Sequence, residues 1–233
     1  MKGTVSLIPA KYISYAHTVC AYSAFFLALV VGCYTHYYKI VENEYFGYPQ
    51  EWFPSVSATT GDRYPARAIF QILIALTSGP RFALVFLWYL SCMSSHPKFA
   101  KFLLTIGIVR TIACGGWVYI TSTDDHATHD VAMILYLLCT LPWQLGVLYT
   151  SPRITLKRRR LFTMLFFGTL PPMIYFFLQH KIYRIPGAYT IYAFFEWSLI
   201  IYDVAFDAVT SIDFERFDIK ITSKTLSEKS TFV

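Results

Sequence analysis

Ala24-Phe25-Phe26-Leu27-Ala28-Leu29-Val30-Val31-Gly32 lies within an apolar run over about 13–34, and its reading decides the class of the whole chain. A helix that crosses a hydrocarbon core needs about 20 predominantly apolar residues. Five further runs follow, over roughly 67–91, 101–121, 131–150, 161–180 and 187–209. With 233 residues, 55% of them hydrophobic and 15% charged, the sequence predicts an all-α membrane protein. The expected architecture is a six-transmembrane-helix bundle over 1–210, both termini cytosolic, followed by a polar cytosolic tail over 211–233. Lys2 and Lys11 precede a first run longer than the ~7–15 residues of a signal-peptide core, so this run is expected to remain as a span.

The net charge of +6 invites a nucleic-acid reading, but its distribution excludes one. Lys2, Lys11, Lys98, Lys101, Arg153 and the run Lys157-Arg158-Arg159-Arg160 all fall on the side that holds the N-terminus, as the positive-inside rule requires of a cytosolic face. That basic run reads as a topology signal that touches anionic lipid. Cys20, Cys33, Cys92, Cys114 and Cys139 lie in or beside spans without CxxC spacing, and read as packing residues.

Between the first two runs stands Trp52-Phe53-Pro54-Ser55-Val56-Ser57-Ala58-Thr59-Thr60-Gly61-Asp62-Arg63-Tyr64-Pro65-Ala66-Arg67, the luminal motif. It is too polar to cross a bilayer, and its aromatic residues argue against disorder. The loop that carries it, from about 35 to 66, is expected to fold back on the bundle or the lipid headgroups, with Pro65 in the first turn of the next helix. Gly79-Pro80 is expected to kink the second span.

Five ionisable residues lie inside spans: Arg81, Arg110, Glu196, Asp203 and Asp207. Each costs at least ~2.5–3.5 kcal/mol at a helix centre, so all should face the interior and find partners. Glu196, Asp203 and Asp207 fall within roughly 40° on one helical face. Depth counted at ~1.5 Å per residue pairs Arg110 with Glu196, and Arg81 with Asp203 or Asp207. Such pairs serve bundle stability, or line a polar cavity for a lipid headgroup or a proton path. On the second luminal loop, His129 is the candidate general base for acyl transfer, oriented by Asp130 or Asp62. Ser55 and Ser57 are candidate nucleophiles or turn-formers. The expected ligand-binding set is Ser55, Ser57, Arg63, Arg81, Arg110, Glu196, Asp203 and Asp207. His126 and His129 lack the remaining ligands of a metal site, and neither a metal nor a cofactor is expected.

Phe53-Pro54-Ser55-Val56-Ser57-Ala58, Gly61-Asp62, Gln71-Ile72-Leu73-Ile74-Ala75-Leu76, Pro80-Arg81-Phe82, Phe195-Glu196-Trp197 and Ala205-Phe206-Asp207-Ala208-Val209-Thr210 together carry a resemblance. The chain resembles the six-span family of post-GPI-attachment-to-proteins factor two over about 5–215, and within it the fungal calcofluor-white-hypersensitivity branch. The resemblance implies remodelling of the lipid part of GPI anchors at the luminal face of the endoplasmic reticulum or Golgi, by reacylation or by exchange of diacylglycerol for ceramide. It implies GPI-anchored proteins and membrane lipids as partners. The fungal protein continues into a second membrane region and a luminal domain, whereas this chain stops at Val233. Either this is a stand-alone version that works with a separate polypeptide equivalent to that C-terminal half, or it is a fragment of a longer protein, and the alternative function is a non-catalytic adaptor that presents or sorts GPI-anchored proteins for a separate enzyme. The acidic face of the last span alone would also fit a proton-coupled transporter.

Overall fold

The computed structural model describes residues 5–222. Strand β1 (Val5–Pro9) leads into α1 (Lys11–Ile40), and a loop carries the short α2 (Val56–Gly61). The helices α3 (Ala66–Met93), α4 (Pro97–Tyr119), α5 (His126–Thr150), α6 (Arg153–Lys181), α7 (Ala188–Ala208) and α8 (Thr210–Asp213) follow, and β2 (Asp218–Thr222) closes the described chain. Among the described residues, α1, α3, α4, α5 and α6 are long and apolar enough to cross a membrane, so the chain is a multi-pass membrane protein. α7 has 21 residues, about 31 Å at 1.5 Å per residue, and carries Glu196, Asp203 and Asp207.

Short connections between consecutive long helices fold them antiparallel. The ends of α1, α4 and α6 and the starts of α3, α5 and α7 therefore share one end of the bundle with α2. The packed neighbours run in the order α5, α4, α3, α1, α7, α6, so the bundle is a ring whose last seam, between α5 and α6, is barely packed. Lipid tails are as apolar as the side chains, so close helix approach rather than hydrophobic burial holds such a ring. α1 supplies it with a buried stripe that includes Ala21, Ala24, Ala28 and Gly32, packed against α3. α4 supplies Gly107, where an added Cβ would stand 2.7 Å from both Trp143 and Val85.

Several expectations change. α3 remains one helix across Gly79-Pro80, where a kink is expected, and α1 departs from helical geometry at His36 (φ −140°, ψ 27°), where none is. Pro65 stands at the N-cap of α3 instead of in its first turn. A two-stranded antiparallel sheet joins the described ends, with Val5 opposite Thr222 and Pro9 opposite Asp218. Of the polar tail expected from Ser211, Ser211 and Asp213 are buried at the foot of the bundle, Asp218–Thr222 form the largely exposed β2, and 223–233 lie outside the described residues. Arg159, read from sequence as one of four cytosolic surface cations, is fully buried. It pairs with Asp213, donates to the Phe206 carbonyl and the Thr210 hydroxyl, each at 3.0 Å, and lies over Trp88 and Phe206. Lys157, Arg158 and Arg160 stay exposed.

Three substitutions test this packing. Gly107→Ala lowers the thermal midpoint in detergent through overpacking of about 1–3 kcal/mol. Gly168→Ala, with nothing within 4 Å of its added Cβ, raises stability by up to about 1 kcal/mol, the helix-propensity gain alone. Arg159→Leu strands the Asp213 carboxylate and costs about 3–5 kcal/mol, and the double change Arg159→Leu/Asp213→Leu recovers most of it. Equal losses in the single and double variants would show that the pair is not what matters.

Candidate functional site

The loop before α2 is fixed by hydrogen bonds to the start of α7. Glu51, fully buried, accepts from the backbone N–H groups of Gly187 (2.9 Å) and Thr190 (2.8 Å) and from the Thr190 hydroxyl (2.7 Å). A carboxylate at a helix N-terminus meets unpaired N–H groups and the favourable end of the helix dipole. Trp197 Nε1–H donates to the Pro54 carbonyl at 2.9 Å, and Ser55 caps α2 by accepting from the Ala58 N–H at 3.1 Å. Tyr189 donates its hydroxyl to Ser55 Oγ at 2.9 Å. Ser55 is thus committed to structure.

Glu196 holds α2 from below. Its carboxylate accepts from the Val56 N–H at 2.7 Å and the Ser57 hydroxyl at 3.1 Å, joining α7 to the start of α2. The depth-based pairing of Arg110 with Glu196 is therefore corrected. Arg110 pairs with Asp203 at 2.5 Å and Asp207 at 3.2 Å, and donates to the Tyr136 and Thr140 hydroxyls at 2.9 and 3.1 Å. Arg81, expected on Asp203 or Asp207, instead donates through Nε to His17 Nε2 at 3.3 Å. Side-chain direction explains the change. Helical side chains lean toward their own N-terminus, so Arg110 on α4 points away from the α2 end, while Asp203, Asp207, Glu196 and Arg81 on α7 and α3 point toward it.

Beneath α2 lies a cavity of about 400 Å³, walled by Phe25, Phe70, Trp117, Phe166 and Met173 among others. Of the residues singled out in the sequence, it brings together Ser57, Arg81, His129, Glu196 and Asp203. Arg110 and Asp207 sit behind it. Asp62 and Arg63 are exposed at the end of α2 and in the turn after it. His129 is buried, and its Nδ1 lies 2.8 Å from the Ile120 carbonyl. A carbonyl accepts only, so Nδ1 carries the hydrogen and Nε2 the lone pair in the neutral ring. Asp130 contacts His126 at 3.4 Å, one turn back on α5, and not His129. The turn before α5 is held by Asp124, which pairs with Arg67 and accepts from the Thr121 hydroxyl at 2.9 Å. The Arg67 guanidinium, with Thr121 second, holds the Asp124 carboxyl below the usual carboxylate range. Thr121 and Tyr136 join the site without having been singled out. Their signal was weak, because a hydroxyl in an aromatic-rich chain carries no spacing rule.

The chain matches the family described as Frag1/DRAM/Sfk1/Cwh43P N-terminal domain over residues 9–217. It is 48% identical to protein cwh43 of Schizosaccharomyces pombe, over 98% of this chain and 24% of that protein. It is 24% identical to post-GPI attachment to proteins factor 2 of Caenorhabditis briggsae, over 93% of this chain and 89% of that one. To acyltransferase PGAP2 of Xenopus tropicalis it is 24% identical, over 74% of this chain and 75% of that one. The chain thus spans about a quarter of the fungal relative and most of the nematode one. No solved structure matches.

The contact between Glu196 and α2 is testable in the intact protein. Glu196→Ala removes a charged acceptor worth about 1.5–3 kcal/mol and is expected to speed amide exchange at Val56–Gly61 by on the order of 10-fold or more. Glu196→Gln, which keeps an acceptor oxygen, retains most of the protection. Hydrogen–deuterium exchange in nanodiscs reads both.

Proposed function

Since the chain belongs to the Frag1/DRAM/Sfk1/Cwh43P N-terminal domain family, we propose that it is a GPI-anchor lipid-remodelling factor, acting on the lipid moiety by reacylation or by diacylglycerol-to-ceramide exchange. The observation that carries this reading is the cavity under α2: apolar along its walls, lined on one side by α5 and α6, which barely pack on each other, and edged by Ser57, His129 and Glu196. Its size falls within the ~300–1,000 Å³ of small-molecule sites, and its walls suit a lipid chain. The names of two relatives support the lipid and anchor terms of the proposal, one being a post-GPI-attachment factor and the other an acyltransferase.

In this reading α7 is the sixth span, both termini are cytosolic, and the α2 end faces the lumen of the endoplasmic reticulum or Golgi. The end away from α2 carries Lys98, Lys101, Lys157, Arg158 and Arg160, in keeping with the positive-inside rule. His129 Nε2 takes the general-base role and Ser57 the polar contact to the anchor, with Arg81, Glu196 and Asp203 completing the lining. The partners are GPI-anchored proteins and membrane lipids.

A second reading, a non-catalytic adaptor that presents GPI-anchored proteins to an enzyme, is favoured by one observation. His129 has no carboxylate partner among the described residues, because Asp130 turns to His126 and Asp62 stays on the surface. Mass spectrometry of GPI lipids, in cells that depend on this chain, tests the common proposal. His129→Ala and Met173→Trp at normal abundance are expected to shift the anchor lipid profile, and an unchanged profile in both sinks the remodelling role. Purified protein in liposomes with a GPI lipid then separates the two readings, since exchange without a second polypeptide requires the enzyme.

A further inference from the structure

A second cavity, of about 440 Å³, lies at the end of the bundle away from α2, and its size is that of a ligand site. Trp88 and Phe214 form a buried floor, while Ser95, His96, Tyr149 and Arg216 stand exposed around it. α3, which contributes Trp88, has 28 residues, about 42 Å at 1.5 Å per residue and longer than a hydrocarbon core of ~30 Å. Its ends therefore reach the headgroup region, where an exposed tyrosine such as Tyr149 is at home.

The cavity carries one positive charge that the protein does not balance. Asp213 in its wall is already engaged, by Arg159 and by the Thr155 hydroxyl, which donates to it at 2.6 Å. Glu215 pairs with Lys11 at 3.1 Å, and Asp218 does not line the cavity. Arg216 thus has no carboxylate partner among the described residues, and its exposed guanidinium lies 5.5 Å from the centre of the Phe217 ring, which also lines the cavity. Two helices begin at the same place. His96 and Pro152, the N-caps of α4 and α6, both line the cavity, and neither caps its helix with a side chain. The positive ends of these helices add to the potential of Arg216. Lys98, Lys101, Lys157, Arg158 and Arg160, at this end of the bundle, draw anionic lipid to the surrounding surface. A zwitterionic headgroup brings no net charge and leaves Arg216 uncompensated, whereas a headgroup with one net negative charge balances it.

We propose that this cavity binds the phosphate of an anionic phospholipid from the adjacent leaflet, with Arg216 donating to the phosphate oxygens between the starts of α4 and α6. The site stands apart from the cavity beneath α2 and from any chemistry there.

The test titrates the full chain in detergent micelles with phosphatidylglycerol or phosphatidylcholine and counts bound lipids by native mass spectrometry. The first phosphatidylglycerol is expected to bind about tenfold more tightly than the first phosphatidylcholine, the worth of one charge-assisted hydrogen bond. Arg216→Gln removes that preference, as does Ser95→Trp, which fills the mouth of the cavity. Arg158→Gln, an exposed cation on α6 that does not line the cavity, leaves it intact. Amide exchange over 92–99 and 214–217 slows when phosphatidylglycerol binds, and inorganic phosphate at millimolar concentration does not displace the lipid. Equal affinity for the two lipids overturns the proposal. A preference that survives Arg216→Gln or Ser95→Trp, or that falls as far with Arg158→Gln, means diffuse attraction to a basic face and also overturns it. Displacement of the lipid by inorganic phosphate makes a soluble phosphate the ligand and overturns the lipid source.

Discussion

Arg110 determines how the two halves of the ring meet. α4 and α5 do not pack along α7, so contact across the interior depends on side chains long enough to bridge it. Arg110 does so with two carboxylates from α7 and two hydroxyls from α5, while its guanidinium lies 4.9 Å from the centre of the Tyr136 ring. A guanidinium placed in a bilayer without such partners would be prohibitively costly, and the partners would be equally costly without it. The network closes the inner end of the space beneath α2 and keeps it from collapsing, because a satisfied charged cluster cannot be compressed into apolar packing. The cavity is thus a consequence of where the charges are.

The same logic operates at the other end of the bundle with a different outcome. Arg159 and Asp213 form a buried pair surrounded by Trp88, Phe206 and Phe214. There the pair anchors α6 to the turn after α7, and Asp213, Trp88 and Phe214 also line the second cavity, of about 440 Å³. α6 therefore has firm attachment along α7 and little along α5. Its buried stripe, Thr155, Arg159, Thr163, Phe166 and Thr169, is narrow and rich in hydroxyls, the composition of a helix that packs on one neighbour only. The barely packed seam is already present in that stripe.

The helical class was legible because runs of 20 apolar residues have few alternatives, and the long helices start and end close to the apolar boundaries except at the end of α1 and the start of α6, where helix continues through polar residues. The acidic face of α7 was legible too, since Asp203 and Asp207 are indeed buried together. The partners were not. Counting residues gives the height of a Cα, whereas a charged side chain acts about 6 Å away in a direction set by its helix, as Arg110 and Arg81 demonstrate on antiparallel neighbours. Arg159 was hidden by its company: three exposed cations surround it, and only helical phase, one in four facing α7, separates it from them. Glu51 was hidden because a carboxylate that caps a helix 136 residues away leaves no local pattern.

Glu196 links these observations into a single constraint on what the site can do. Each of its oxygens accepts one bond, from the Val56 N–H or the Ser57 hydroxyl, so each keeps a lone pair for a further donor while α2 stays held. Protonating it would weaken a charge-assisted acceptor to a neutral one, and removing Ser57 would leave it one donor short. The position of α2 over the cavity and the charge at the cavity's rim are therefore one property. A ligand that reaches Ser57 from below competes with Glu196 for the same hydroxyl, and in doing so acts on the element that covers it. Ser55, Tyr189 and Glu51 hold the remainder of the loop through bonds of their own.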